Sequence, residues 1–336
     1  MGIVAAWLVP NASFADEGGV SFWLPGTYGS LAAEQQVPGW SLSLTDYHTS
    51  VSASGSISQS REIQIGRFPV GLTATANANF NETMDMVMIE PSYVFATPFF
   101  GGQASVGLSG AYGRDSGALA GTLSGTLNAT PFALSETTSE SVWGFGDLSP
   151  VFSLRWNKGA DNFMTYVAGN IPVGAYNALR LANIGLGYGA IDAGGAYTYY
   201  NSETGHEFSG TLGFTYNLIN PATQYQSGVD IHFDWGASHF FTEDFHAGLV
   251  GYVYKQIGCD GGSGDRVGCF QSQVVGIGPQ VGFIFPVGSM EGYLNLKVYD
   301  EFAAENRPEG WNAWVTFSLS PSAPAASAQP RPIITK

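Results

Sequence analysis

The chain has 336 residues, only 12% of them charged, and 27 acidic against 12 basic residues give a formal net charge of −15. Ordinary soluble domains carry roughly twice that share of charge, and so acidic a balance excludes nucleic acid as a partner, because a phosphate backbone requires a basic face. Gly (45 residues) and aromatics (14%) are abundant, yet beyond the first few positions there is no run of about 18–20 apolar residues for a membrane helix, which leaves a transmembrane β-barrel or an extracellular all-β protein.

Residues 1–15 read as a truncated signal peptide. "GIVAAWLVP" is a short apolar core, and Ser13, Phe14 and Ala15 before Asp16 have the small–x–small form of a cleavage site, although the positive start of such a signal is missing. Residues 16–38 form an N-terminal plug or a periplasmic segment. Here "GGVSFWLPGTYGSLAA" joins the bulky Phe22, Trp23, Leu24 and Tyr28 to the turn formers Pro25 and Gly26. Left in water, such a stretch is a liability. Folded back at Pro25-Gly26 into a barrel it is a plug; packed on the rim it is a hook.

From Trp40 onward one pattern repeats: ten to fifteen alternating residues, then a turn or a loop. In "GVDIHFDW", Val229, Ile231, Phe233 and Trp235 alternate with Asp230, His232 and Asp234; in "GWNAWVTFSLS", Trp311, Ala313, Val315, Phe317 and Leu319 share one face. Candidate strands fall at 40–54, 84–97, 102–114, 143–158, 162–174, 189–201, 206–217, 226–241, 245–257, 270–286, 290–302 and 309–320. That is about twelve, an even number, as single-chain bacterial barrels have. The connections alternate between short ("TPFFGG", "NKGAD", "NSETG", "FTEDF", "PVGSM") and longer (55–83, 115–142, 175–188, 218–225, 258–269, 303–308). A soluble sandwich has no reason to alternate so; a membrane barrel does, with tight periplasmic turns and larger outside loops. The fold expected is therefore all-β: an antiparallel up-and-down transmembrane barrel over 39–320, in the bacterial outer membrane, with a flexible periplasmic tail at 321–336. Phe317 and Leu319 serve either as a signal to the barrel-assembly machinery or as ordinary lipid-facing residues.

The polar face of such strands lines the lumen. Candidate lumen residues are Glu90, Asp147, Arg155, Asp230, His232, Asp234, Tyr252, Tyr254, Lys297 and Tyr299. A buried charge is costly unless paired, so Arg155 and Lys297 are expected to bridge lumen acids, as a selectivity constriction or as a wall-stiffening network. The Asp230, His232, Asp234 row reads as a metal or proton site, or as a plain polar wall. Tyr252 and Tyr254 form a track for apolar solutes or belong to the interface girdle. Cys259 and Cys269, bracketing a Gly/Asp loop, read as a loop-closing disulfide; no metal site is expected. Asp115, Glu136, Glu140, Asp260 and Asp265 fall in the outside loops and would disfavour anions at the mouth. There is no G-x-S-x-G, no H-E-x-x-H and no phosphate-binding Gly-rich loop, so no catalytic residues and no cofactor are assigned.

"EGGVSFWLPGTYGSLA…PGWSLSLTDYHTS", "GFGDLSPVFSLRWNKGADNFMTYVAGNIPVGAYN" (144–177), "YNSETGHEFSGTLGFTYNLINPATQYQSGVDIHFD" and "GIGPQVGFIF" together resemble the outer-membrane transporter-like proteins grouped with the meta-pathway of phenol degradation. The resemblance spans 16–320 and implies a barrel that passively admits small hydrophobic compounds, aromatics especially, for degradation. It brings no catalytic residues. Its partners would be outer-membrane lipids, lipopolysaccharide and the solute. The alternatives are a general diffusion porin for small polar solutes, which would show large ion currents, and a structural or adhesion barrel working through its outside loops.

Overall fold

In the computed structural model the described residues are 21–65, 68–127, 130–265, 268–269 and 271–322. The expected signal peptide (1–15) and most of the expected tail (323–336) lie outside them. Twelve strands run in chain order: β1 (Gly39–Ile65), β2 (Phe68–Val94), β3 (Gln103–Leu127), β4 (Thr130–Lys158), β5 (Asp161–Asn170), β6 (Ala190–Asn201), β7 (His206–Asn217), β8 (Asp230–Phe240), β9 (Phe245–Gln256), β10 (Gln273–Val287), β11 (Met290–Glu305) and β12 (Glu309–Pro321). Each pairs antiparallel with its sequence neighbours, and β12 pairs with β1 from Leu42↔Leu319 to Ser52↔Glu309, so the sheet closes into a barrel with no crossover. No described helix is long and apolar enough to cross a membrane.

The wall is inverted relative to a soluble protein. On β7 the buried side chains are Glu207, Ser209, Thr211, Thr215 and Asn217, while Phe208, Leu212, Phe214 and Tyr216 are exposed. β8 repeats this, with Asp230, His232 and Asp234 buried and Phe233 exposed. Period-2 alternation sends one set to each face, and only a bilayer makes an outward apolar face favourable. Aromatic side chains mark the end of this band that carries the short turns. Trp40 packs on Tyr93 at 5.2 Å between ring centroids, Phe245 on Phe283 at 4.7 Å and Phe285 on Phe317 at 6.2 Å. Trp143, 62% exposed, and Phe145 and Tyr112 beside it mark the other end, as interfacial girdles do.

One expectation about the elements is corrected. Residues 55–83 and 115–142 are not loops. They are the outer halves of β1 to β4, which run 25 to 29 residues against 10 to 16 in the other strands. About 9–11 tilted residues cross a bilayer. β12 flanks β1 only as far as Ser52, and β5 flanks β4 only from Val151 to Lys158. A four-stranded sheet therefore stands beyond the closed part of the barrel, on the side of the longer connections.

Candidate functional site

Residues 21–38 precede β1, and the partners of their backbone are inward-facing wall residues. At the short-turn end, Gln36 N donates to Gln103 Oε1 (3.0 Å) and Gln103 Nε2 returns a bond to Gln36 O (2.6 Å). Further in, Ala33 N donates to Thr198 Oγ1 (3.0 Å) and Leu31 N to Glu207 Oε1 (2.9 Å). The segment then turns. Thr27 N donates to Leu24 O (3.1 Å), with Pro25 and Gly26 at the corners and Gly26 at φ +90°. That is a type II turn, whose third residue needs positive φ and whose second suits proline. Gly26 is needed a second time, since a Cβ there would lie 2.9 Å from the Tyr299 ring.

Two wall charges hold this turn by its peptide groups. Asp234 accepts Gly26 N on Oδ1 (3.1 Å) and Tyr28 N on Oδ2 (3.0 Å). Lys297 Nζ donates to Gly26 O (2.6 Å) and Thr27 O (3.1 Å). Beyond the turn, the Trp23 ring stacks on His232 with centroids 3.7 Å apart. His232 Nε2 is 3.0 Å from Asp192 Oδ2, which also accepts Thr215 Oγ1 (2.6 Å). Gly213 gives this stack its room, because a Cβ there would collide with both Tyr166 and His232. Near the foot of the segment burial pushes the Glu34 carboxyl up to about 7, and the charges of Glu207 and Glu291 add to the shift.

From the opposite end the β5–β6 loop folds against the inner wall. Asp147 accepts Gly174 N on Oδ1 (2.7 Å), and Leu186 N (2.9 Å) and Asn170 Nδ2 (2.9 Å) on Oδ2. Asp115 Oδ2 accepts Asn183 N (2.8 Å), and Glu140 Oε2 accepts Leu181 N (2.9 Å). Asp115 is thus not the outside-loop charge expected of it: it lies on β3, faces inward and is 1% exposed. Asp260 likewise organises its loop, accepting Gly228 N at 3.0 Å.

Between the N-terminal segment and the inward-folded loop lies a chamber of about 250 Å³. Met84, Met86 and Met88 form one wall, Phe22 and Leu24 another, and Ile184 of the loop a third, while Glu82, Asp115, Asp147, Arg180 and Asn183 make part of the lining polar. A second chamber of about 50 Å³ adjoins it, sharing Ser21, Leu24, Glu82 and Met84 and lined beyond them by Tyr47, Glu301 and Arg307. An apolar cavity of roughly 150 Å³ is already enough to take up benzene.

The sequence matches the family described as "Putative MetA-pathway of phenol degradation" over residues 65–317. The chain belongs to this family. Among curated proteins nothing matches it. Of solved structures, an outer membrane channel from Pseudomonas putida F1 overlays with a TM-score of 0.54 at 14% identity, covering 88% of this chain and 99% of that one. The transport unit of the autotransporter AIDA-I from Escherichia coli gives 0.42 at 11% identity, covering 91% and 95%. The Ralstonia pickettii toluene transporter TbuX gives 0.37 at 8%, covering 85% and 90%. The fold of this family member is that of a bacterial outer-membrane β-barrel.

The remaining candidate residues fall as follows. Tyr252, Tyr254 and Tyr299 are fully buried inside the wall rather than in a girdle. Tyr252 OH donates to Glu301 Oε1 (2.7 Å), and Arg307 lies 4.9 Å over the Tyr254 ring. Asp230 accepts Asn217 Nδ2 (2.8 Å). Glu90 faces inward beside Gly107. The ion pairs expected of Arg155 and Lys297 are not formed among the described residues: Arg155 Nη1 donates to Ser105 Oγ (3.2 Å) and Ser153 Oγ (2.5 Å), and Lys297 to peptide carbonyls. Neutral oxygens take the bonds of Arg155 Nη1 and Lys297 Nζ, while the buried Arg155 Nε has no acceptor among the described residues and Asp234 keeps its backbone bonds. Asp230, His232 and Asp234 do not converge as a ligand set, and no group of three or more His, Cys, Asp or Glu placed to hold a metal ion occurs among the described residues. Cys259 and Cys269 are joined, with Cα atoms 4.7 Å apart, closing the β9–β10 loop. Sequence reasoning missed the methionine row, Glu82 and Asp192. The period-2 spacing of Met84, Met86 and Met88 was the signal for the first.

Proposed function

We propose that this protein is a channel for passive uptake of small hydrophobic, chiefly single-ring aromatic, compounds across the outer membrane, with residues 21–38 as its plug. The observation that carries this reading is the 250 Å³ chamber between the methionine row and the Phe22–Leu24 tip. Methionine side chains are flexible and polarisable, and favour aromatic contact without demanding one shape. Many inward-facing polar side chains are buried and hydrogen-bonded to one another or to residues 21–33, which suits an apolar solute better than a general diffusion pore. The fold and the phenol-degradation family accord with it.

In planar bilayers the full chain is expected to show little ion conductance, and a variant lacking residues 21–38 to conduct readily. Proteoliposomes with the intact chain should take up toluene and phenol faster than empty vesicles. Large, stable currents from the intact chain would instead establish a diffusion porin. Unchanged conductance in a correctly folded deletion variant would remove the plug.

A further inference from the structure

One inward row of the wall presents a flat aromatic surface. Tyr166 on β5, Gly194 on β6, Gly213 on β7 and His232 on β8 stand at successive register positions across four strands. The glycines lie in the middle, and the two rings lean over them from either side. A Cβ on Gly194 would lie 2.8 Å from the Tyr166 ring, and one on Gly213 would collide with both Tyr166 and His232. Glycine inside a strand marks such a close approach. Asp192 Oδ2, 3.0 Å from His232 Nε2, fixes the edge of the imidazole.

What covers this surface belongs to the N-terminal segment, not to the wall. The Trp23 indole lies over His232 with the ring planes 15° apart, and 5.9 Å from Tyr166 at 29°. Its faces hold it: Trp23 Nε1 is buried and has no acceptor among the described residues. Among those residues the hydrogen bonds of 21–24 stay within the segment, Ser21 Oγ donating to Trp23 O (2.7 Å) and Thr27 to Leu24 O. The wall's bonds to the segment begin at Gly26. Phe22 and Leu24, on either side of Trp23 in sequence, line the larger chamber, so this tip stands between the chamber and the aromatic row.

We propose that the Tyr166–His232 row is a second binding station for a neutral planar ring, which Trp23 occupies while the channel is closed and which a single-ring aromatic solute takes over by displacing the indole. This deepens the uptake reading above and rests on it. The station selects by shape, because stacked rings gain from a flat approach and a puckered saturated ring of the same size cannot lie flat on the imidazole. Asp234 and Lys297 keep the turn in place, so the tip yields before the rest of the segment.

The test is equilibrium dialysis of labelled toluene and methylcyclohexane, which differ in ring saturation, against the full chain in detergent, with empty micelles as the blank and the folded band on SDS gels as the control for folding. Trp23→Ala empties the station and should tighten toluene about tenfold, in keeping with one stacked aromatic pair, while methylcyclohexane changes little. Trp23→Phe keeps a ring in the station and should hold toluene as the wild type does. Adding His232→Leu to Trp23→Ala keeps an apolar side chain but removes the flat ring, and should abolish the gain. If Trp23→Ala tightens both probes equally or neither, if Trp23→Phe gains as much as Trp23→Ala, or if the gain survives His232→Leu, the station is overturned while uptake stands. If the wild type neither binds toluene nor carries it into proteoliposomes, the uptake reading falls with it.

Discussion

Asp234 and Lys297 act on one turn through opposite halves of its peptide groups, the carboxylate on two N–H groups and the ammonium on two carbonyls. Asp234→Ala would leave two buried N–H groups without acceptors, at about 1–3 kcal/mol each. Amide exchange of residues 21–33 should then accelerate at least tenfold by hydrogen–deuterium exchange mass spectrometry, while exchange of β7 and β8 stays slow. Glu34 gives the same segment a pH dependence. Its carboxyl, raised from 4.5 to about 7 in the docked state, binds its proton more tightly docked than free. That contribution to docking is complete below about pH 4.5 and is lost as pH rises to 7. Openings in bilayers should grow more frequent across that window, and Glu34→Gln should flatten the profile; the same profile in the variant would clear Glu34 of the effect. At this scale the sequence showed which residues face the lumen, since period 2 settles that. It did not show their partners. The cations were expected on carboxylates because the hydroxyl of Ser105, 50 residues away on β3, and the carbonyls of a segment 270 residues away leave no mark in local pattern.

At the scale of elements, the strand starts and ends that face lipid were legible and those outside it were not. Hydrophobic alternation arises where one face meets lipid and the other the lumen. Farther along β1 and β2 the alternation fades into Ser, Thr, Asn, Ala and Gly while the backbone ladder continues, as from Ser52↔Asn81 to Ile65↔Phe68. The pairing of β1 with β12 ends at Ser52, so barrel closure does not use the projecting halves. Replacing 57–76 and 118–139 by short Gly/Asn turns should leave the heat-modifiable mobility of the folded barrel on SDS gels intact, with thermal stability changed by only a few degrees. Loss of the folded band would show that the projecting sheet nucleates the barrel.

For the whole molecule, alternation alone was ambiguous between a sandwich and a barrel. The rhythm of short and long connections resolved it, because turn length reports which side of a membrane a connection occupies. The route of residues 21–38 had a weaker signal: an apolar, turn-containing stretch that water would not tolerate, with no indication of which wall would receive it. That route has an electrical consequence. Residues 21–33 contain no charged side chain, and the charges that grip their turn belong to the wall. A transmembrane voltage does work only on charge that is displaced, roughly 2.3 kcal/mol per elementary charge per 100 mV. Among residues 21–38 only Glu34 carries a charge, so withdrawing the proposed plug would move at most that one charge of its own through the field, and its response to voltage should be weak.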